Sequence, residues 1–302
     1  MQTDAKPRKP LLAALMSAIL PGLGQLYNGD WHKALWLILS FALLTVPAIA
    51  VVALYLPISW TFPALISGLL LLVILWLYGV TNAFRTARCQ QDYVPKNWQN
   101  GGIYLLALLV CSVTALPLLT AYIRQHLVEG MLVPSSSMEP NVMKYDLIFT
   151  DKRYNRVGAK QAVQRGDIAV FIYPNDRSTY YIKRIIGLPG DKISIKGASV
   201  SINGKPLMLQ TTPVSNGLLV TETDGKTRWQ TFWNNSKLQL PQTELRVPAG
   251  QVFVMGDNRT DSNDSRFFGT VPLQDVVGKA RQVWFSAQGN SVRWERIGKL
   301  LH

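Results

Sequence analysis

The amino-acid sequence predicts a chain with N-terminal transmembrane α-helices, about three spans, followed by a mostly antiparallel all-β domain. Two observations carry this. Residues 34–84 and 97–123 contain no Asp, Glu, Lys or Arg. From residue 143 onward the pattern changes to short alternating runs bounded by turn residues, the signature of strands. The charge is divided accordingly. Of the 302 residues only 16% are charged, against about 25% in ordinary soluble proteins. Residues 1–125 hold 8 basic and 3 acidic groups, whereas residues 126–302 hold 23 and 15. The expected domains are therefore a membrane anchor over 1–125 and a β-rich domain over 126–302.

A bilayer core needs roughly 20 apolar residues in a helix, so the first uncharged stretch accommodates two spans and the second one. The expected spans are 34–56, 58–80 and 102–123. This excludes a soluble cytosolic enzyme, and a cleavable signal peptide, with its single short apolar region, does not account for it. Residues 11–27 begin with a ten-residue apolar run, too short to span, and are expected at the interface or as a re-entrant segment. The run Leu20-Pro21-Gly22-Leu23-Gly24-Gln25-Leu26-Tyr27-Asn28-Gly29 is similar to one found in small bacterial membrane proteins with two spans. It reads as a turn setting the entry angle of the first span.

Lys6, Arg8, Lys9 and Lys33 precede the first span and Arg85, Arg88 and Lys96 follow the second, while the turn around Pro57 has no basic residue. The positive-inside rule then places the N-terminus and the 81–101 loop in the cytoplasm and residues from 126 on the far side. Cys89 is expected in the loop after the second span and Cys111 in the middle of the third. No Cys lies in 126–302, so that domain has no disulfide framework, thiol nucleophile or Cys-ligated zinc. His32, His126 and His302 form no metal-ligand spacing.

Strands are expected at 146–150, 167–173, 180–186, 192–196, 199–202, 251–255 and 276–285, with tight turns at Asn203-Gly204 and Leu188-Pro189-Gly190-Asp191. Residues 206–247 show polar residues around Trp229 and Trp233 and are expected to be a less regular insertion.

Three elements carry chemistry. Met131 to Pro140 places serines between Pro134 and Pro140, in an extended segment where a hydroxyl can face a substrate. In Tyr180 to Ile186, Lys183 and Arg184 point to opposite faces of a strand, so either cation is a candidate for an apolar environment. A lysine buried in this way loses its charge more readily and becomes a general base near neutral pH. Gly256 to Gly269 is a polar loop after an apolar strand. Asp257, Asp261 and Asp264 are possible calcium ligands, but Arg259 and Arg266 oppose a cation there, and an Asp264–Arg266 pair that orders the loop is preferred.

Together these elements resemble bacterial type I signal peptidase, a membrane-bound serine protease with a Ser/Lys dyad. Pro134, Ser135, Ser136, Ser137 and Met138 meet the family's first pattern; Tyr181 to Arg184 with Gly187 to Asp191 meet the second; Gly256 to Arg259 meet the third. The resemblance implies that Ser137 is the nucleophile and Lys183 the general base. It makes the Ser135 hydroxyl and the Ser137 N–H the oxyanion hole. Ser262 would orient the base, and Asp264 and Arg266 would form the family's ion pair. Asn141 and Thr260 depart from the usual residues at their positions, and the better-known members have two spans.

The implied reaction, removal of signal peptides from exported preproteins, needs no metal or organic cofactor. Its partners would be signal peptides, the lipid bilayer and the protein export machinery. The implied location is the bacterial inner membrane with the catalytic domain on the periplasmic side. Ser137 follows the third expected span by 14 residues, at most about 50 Å of extended chain. Two other readings fit the residues. One is a processing peptidase of the same clan dedicated to a pilin-like or conjugative substrate. The other is a membrane-tethered binding domain using the net charge of +13. The basic residues beyond 125 form no run of four, which favours a solvated surface near lipid headgroups over a nucleic-acid site.

Overall fold

A computed structural model describes residues 6–56, 58–155, 162–235 and 242–301, and the chain divides into two units, Met1–Gln125 and His126–His302. The first unit is helical: α1 (Pro10–Ile19), α2 (Leu23–Tyr27), α3 (Trp31–Leu44), α4 (Val46–Tyr55), α5 (Ile58–Cys89), α6 (Gly101–Leu109), a π-helical turn (Val110–Ala115) and α7 (Leu116–His126). Three stretches are long and apolar enough to cross a membrane: Trp31–Tyr55, Trp60–Cys89 and Gly101–His126. The first is interrupted at Thr45, where Pro47 opens α4 with a residue that cannot donate to the preceding turn. The turn expected around Pro57 lies outside the described residues.

The second stretch runs on to Cys89, so Cys89 ends a helix and does not sit in a loop. The reason is packing. Ala83 and Ala87, one helical turn apart, are fully buried in a cluster with Ala13 of α1. The residues from Pro21 to Gly29 do more than turn the chain. The Ser17 hydroxyl donates to Gln25 Oε1 at 2.8 Å, Gln25 Nε2 donates to the Gly79 carbonyl at 2.7 Å, and Asn28 Nδ2 donates to the Ala83 carbonyl at 2.8 Å. These buried amides bond backbone carbonyls of α5, which fastens α1 and α2 to it. Gly24 is required by this approach, because a Cβ there would lie 2.1 Å from the Ala13 carbonyl oxygen.

The second unit is built from antiparallel strands. The main sheet orders β1 (Val128–Leu132), β2 (Asp146–Asp151), β14 (Val276–Gln288), β3 (Ile168–Ile172), β4 (Tyr180–Gly187), β12 (Gln251–Met255) and β13 (Val271–Pro272), with β15 (Ser291–Val292) paired to β14. A second sheet orders β11 (Thr243–Arg246), β5 (Lys192–Lys196), β6 (Ser199–Ile202) and β7 (Lys205–Pro206). Strand β14 is the long central element. It pairs with both β2 and β3, with bulges at each junction that bend the sheet.

The expected strands are present with ends shifted by three residues at most. The insertion is the exception. The described residues within 206–247 are regular: β8 (Met208–Val214), β9 (Gly217–Thr223) and β10 (Arg228–Asn234) form an antiparallel three-stranded sheet, and β11 joins β5. Strand β8 is exposed along most of its length, so nothing forces its side chains to alternate. On β9 and β10 the buried positions include Glu222 and Thr231 beside Trp229 and Trp233. Inward polar residues erase the period-two signal that strand recognition rests on.

Two apolar clusters flank the strands that carry the site. One gathers Val133, Met138, Val142, Ile148, Ile168, Val170, Ile182 and Val283. The other gathers Tyr154, Phe171, Ile185, Val252, Val254, Val271 and Val276. Each large side chain buried here contributes roughly 1.5–3 kcal/mol relative to exposure. The clusters give the loops between strands a rigid base.

Candidate active site

Ser137 lies in the loop between β1 and β2. The loop is pinned by Asp146, whose carboxylate accepts from the Met143 N–H at 2.8 Å, from the Ser286 hydroxyl at 2.6 Å and from Arg296 Nε at 3.0 Å. Arg296 also donates to the Asn141 carbonyl at 3.0 Å. Within the loop the Val142 N–H returns to the Met138 carbonyl at 2.9 Å. Met138 is fully buried, and this anchors the residue directly after the serine.

Lys183 and Arg184 are adjacent on β4, and both are buried, so the expectation that one cation would face an apolar environment understates the case. Strand alternation sends them opposite ways. Arg184 meets Asp257 in a two-pronged ion pair with both contacts at 2.7 Å and both side chains inaccessible. Lys183 meets serine: its Nζ lies 2.7 Å from Ser137 Oγ and donates to the Ile182 carbonyl at 2.9 Å. The Tyr181 ring, centred 5.3 Å from the amine, covers it from another side.

Burial pushes the Lys183 pKa down from 10.5 to about 8, with Arg266 adding to the shift and the carboxylates of Asp264 and Asp257 opposing it. Taking an ammonium out of water is costly, so the neutral amine is favoured. A neutral amine within hydrogen-bond distance of a hydroxyl can accept its proton, which is what serine needs to become a nucleophile.

The other residues singled out in the sequence fall around this pair. Ser135 Oγ is 3.2 Å from Ser137 Oγ. Asp264 and Arg266 are paired at 2.8 Å, both with inaccessible side chains, and Asp264 also accepts from the Gly256 N–H at 2.9 Å. Ser262 is not joined to the lysine. Its hydroxyl is buried without a hydrogen-bond partner, close against Gly256. Among the described residues no group of three or more His, Cys, Asp or Glu side chains is arranged to hold a metal. Asp257 and Asp264, two of the possible calcium ligands, face Arg184 and Arg266 instead.

Several residues at the site had no role assigned from the sequence. Asn258 donates from its backbone N–H to the Ser137 carbonyl at 3.1 Å and from Nδ2 to the Ser136 carbonyl at 3.3 Å. Glu222, from the inserted sheet, binds the buried Arg259 guanidinium. Asn141 donates to Asp257 Oδ2 at 2.7 Å and to the Gln230 carbonyl at 2.6 Å, and the Thr260 hydroxyl accepts from the Asn234 N–H at 3.0 Å. Both departures from the usual pattern thus tie the loops of the site to the inserted sheet. The Arg184–Asp257 pair had a signal in the sequence, since a buried strand arginine requires an acidic partner; Glu222 had none.

A hydroxyl and a buried amine in contact, on an antiparallel sheet that follows apolar helices, have the makings of a serine hydrolase in which an amine replaces histidine. A family model described as signal peptidase, peptidase S26, matches residues 105–285, more than half of the chain. A signal peptidase I from Pseudomonas fluorescens is 35% identical over 195 residues, 54% of this chain and 67% of the relative. One from Rickettsia typhi is 36% identical over 199 residues, 55% of this chain and 75% of the relative. A solved signal peptidase I from Enterococcus faecalis aligns at 32% identity over 39% of this chain and 97% of its own, with a TM-score of 0.27. The chain belongs to the signal peptidase family, peptidase S26, and is a serine-type peptidase. A second model, for a family of unknown function, matches residues 6–57.

Proposed function

We propose that this protein removes N-terminal signal peptides from exported preproteins, with Ser137 as nucleophile and Lys183 as general base. The observation that carries the reading is the 2.7 Å contact between the Lys183 amine and the Ser137 hydroxyl, in a buried setting that favours the neutral amine. Neutral Lys183 takes the hydroxyl proton as Ser137 Oγ attacks the scissile carbonyl. The oxyanion is received by the Ser137 N–H and the Ser135 hydroxyl, each such donor supplying roughly 3–4 kcal/mol. Charged Lys183 then protonates the leaving amine, and once neutral again it activates the water that hydrolyses the acyl-enzyme.

Ser262 orients the amine in this scheme. Its unpartnered hydroxyl is an acceptor for an N–H that Ser137 and Ile182 leave unused. The Asp264–Arg266 pair holds the loop that carries it. Residues 1–125 anchor the enzyme in the bacterial cytoplasmic membrane with the N-terminus in the cytoplasm. Residues 126–302 form the periplasmic peptidase domain. Signal peptides reaching that face from the export machinery bring their cleavage site close to the membrane surface.

The test is cleavage of a purified preprotein in detergent by the full-length enzyme, Ser137→Ala and Lys183→Ala. Both variants are expected to stay folded and to lose roughly 10⁴- to 10⁶-fold in turnover, about what removal of one member of a catalytic triad costs. Turnover near the wild-type rate by either folded variant overturns the role given to that residue.

A further inference from the structure

The Ser137 N–H serves as an oxyanion donor only if it points at the developing charge, and its direction is set by the Ser136–Ser137 peptide unit. That unit is planar, so the Ser136 carbonyl and the Ser137 N–H turn together. Whatever holds the carbonyl aims the N–H. Asn258 Nδ2 donates to the Ser136 carbonyl at 3.3 Å, and the Asn258 backbone N–H donates to the carbonyl of Ser137 itself at 3.1 Å. One residue thus grips the main chain on both sides of the nucleophile. Among the described residues nothing accepts from the Ser137 N–H, which leaves it available to a substrate.

Asn258 is itself firmly held. It is 8% exposed. The Asp257 carbonyl before it accepts from the Phe232 N–H at 2.8 Å, and the Arg259 N–H after it donates to the Phe232 carbonyl at 2.9 Å. The 256–259 loop is therefore paired to β10 of the inserted sheet. Gly256 lets it lie against the nucleophile, since a Cβ there would stand 2.5 Å from the Ser137 carbonyl oxygen. The Glu139 N–H, at 3.1 Å from the Ser136 carbonyl, shares the grip, so loss of the asparagine amide weakens it without abolishing it.

We infer that Asn258 is a positioning residue that aims the Ser137 N–H into the oxyanion hole through the Ser136 carbonyl. The inference rests on the Ser137 and Lys183 roles proposed above. It requires a short side chain that donates. Alanine has no donor, and aspartate at alkaline pH sets a carboxylate against a carbonyl oxygen.

The experiment measures kcat, KM and their pH dependence on a preprotein for full-length wild type, Asn258→Ala and Asn258→Asp, with Ser137→Ala and Lys183→Ala in parallel. Asn258→Asp keeps the side-chain volume and carries the test should Asn258→Ala fail to fold. The expected result at pH 9 is a 10- to 100-fold fall in kcat, a part of the roughly 10²- to 10³-fold lost when such a donor is removed outright. KM should stay within about twofold in both variants, and the acid limb at the wild-type pH in Asn258→Ala, whereas the new carboxylate of Asn258→Asp raises the lysine pKa and moves its limb to higher pH. A kcat near wild type, a loss confined to KM, or a displaced acid limb in Asn258→Ala overturns the inference. If Ser137→Ala or Lys183→Ala also turns over normally, it is the dyad that has failed; if both are inactive while the Asn258 variants are normal, only the positioning role has.

Discussion

Arg259, in the loop that carries Asn258, and Glu222, on β9 of the inserted sheet, form a two-pronged ion pair with both side chains essentially inaccessible. The Arg259 Nη1 contact is 2.5 Å, and Glu222 also accepts from Trp229 Nε1 at 3.0 Å. Arg259 Nε further donates to the Gly256 carbonyl at 3.2 Å. The inserted sheet is thus bonded to the catalytic loop by side chains as well as by main chain.

Removing one partner leaves a buried charge alone, which costs about 3–5 kcal/mol. Glu222→Leu is expected to lower the unfolding temperature sharply. The double variant Glu222→Leu with Arg259→Met should recover most of the loss, because two apolar side chains impose no charge to desolvate. Thermal unfolding of the single and double variants measures this, and a single variant as stable as wild type would remove the pair from the scaffold.

As the proposed base, Lys183 should set the pH dependence of the rate. With a pKa of about 8, the base is charged and inactive at low pH. Wild-type kcat/KM should rise tenfold per pH unit up to about pH 8 and level off above it. A profile that is flat from pH 6 to 9 would exclude the lysine as the base.

The same group bears on stability. The unfolded chain keeps its lysine protonated up to about 10.5, whereas the folded protein does so only below about 8. Between these values the unfolded state binds more protons, so stability rises with pH. Below about pH 8 the buried lysine costs about 3 kcal/mol, and above about pH 10.5 the cost is gone. Lys183→Met is therefore expected to be more stable than wild type at pH 7, with the difference closing as pH approaches 10.5. Unfolding midpoints across that range provide the measurement.

Gly256 leaves no room for a side chain. A Cβ would lie 2.2 Å from Ser262 Oγ and 2.5 Å from the Ser137 carbonyl oxygen. The Ser262 hydroxyl can rotate away but its Cβ, 2.5 Å off, and the Ser137 backbone cannot, so Gly256→Ala must displace the loop of the proposed nucleophile or that of Ser262. Turnover should fall at least 100-fold, since a misplacement of about 1 Å costs that much. Preprotein cleavage measured beside the unfolding midpoint separates a displaced nucleophile from a lost fold.

In the proposed mechanism Ser135 Oγ, 3.2 Å from Ser137 Oγ, donates to the oxyanion. Ser135→Ala should lower kcat by about 10²-fold and leave KM and the acid limb in place. A change confined to KM would make Ser135 a substrate contact.

Much of this architecture is legible before folding because it is written in local pattern. A helix inside a bilayer excludes charge, which marks the uncharged parts of Trp31–Tyr55, Trp60–Cys89 and Gly101–His126 but not their ends. A strand with one buried face alternates, which marks β5, while β4 and β12 are buried on both faces and stand out as apolar runs bounded by turn residues. The signals fail where polar residues turn inward. Gln25 and Asn28 are buried to bond carbonyls of α5, and Glu222 and Thr231 are buried in the inserted sheet, so none reads as interior. Ala83 and Ala87 extend α5 because they pack on α1, a contact no local propensity reports.

The site divides in the same way. The resemblance of three motifs to a known family nominates Ser135, Ser137, Lys183, Ser262, Asp264 and Arg266 as a group; residue type and spacing alone leave the serine, and the choice between Lys183 and Arg184, open. Which neighbour each one meets is settled across the fold. Lys183 and Arg184 are adjacent, and β4 turns one toward Ser137, 46 residues earlier, and the other toward Asp257, 73 residues later. The Ser262 hydroxyl is buried beside Gly256 without a hydrogen bond to the lysine, and Asn258, part of a motif but given no role of its own in the sequence, bonds the main chain on both sides of Ser137. Hydrophobic period and charge exclusion act over a few residues and can be read along the chain. Desolvation and hydrogen-bond partners depend on what distant strands bring together, and only the packed structure supplies them.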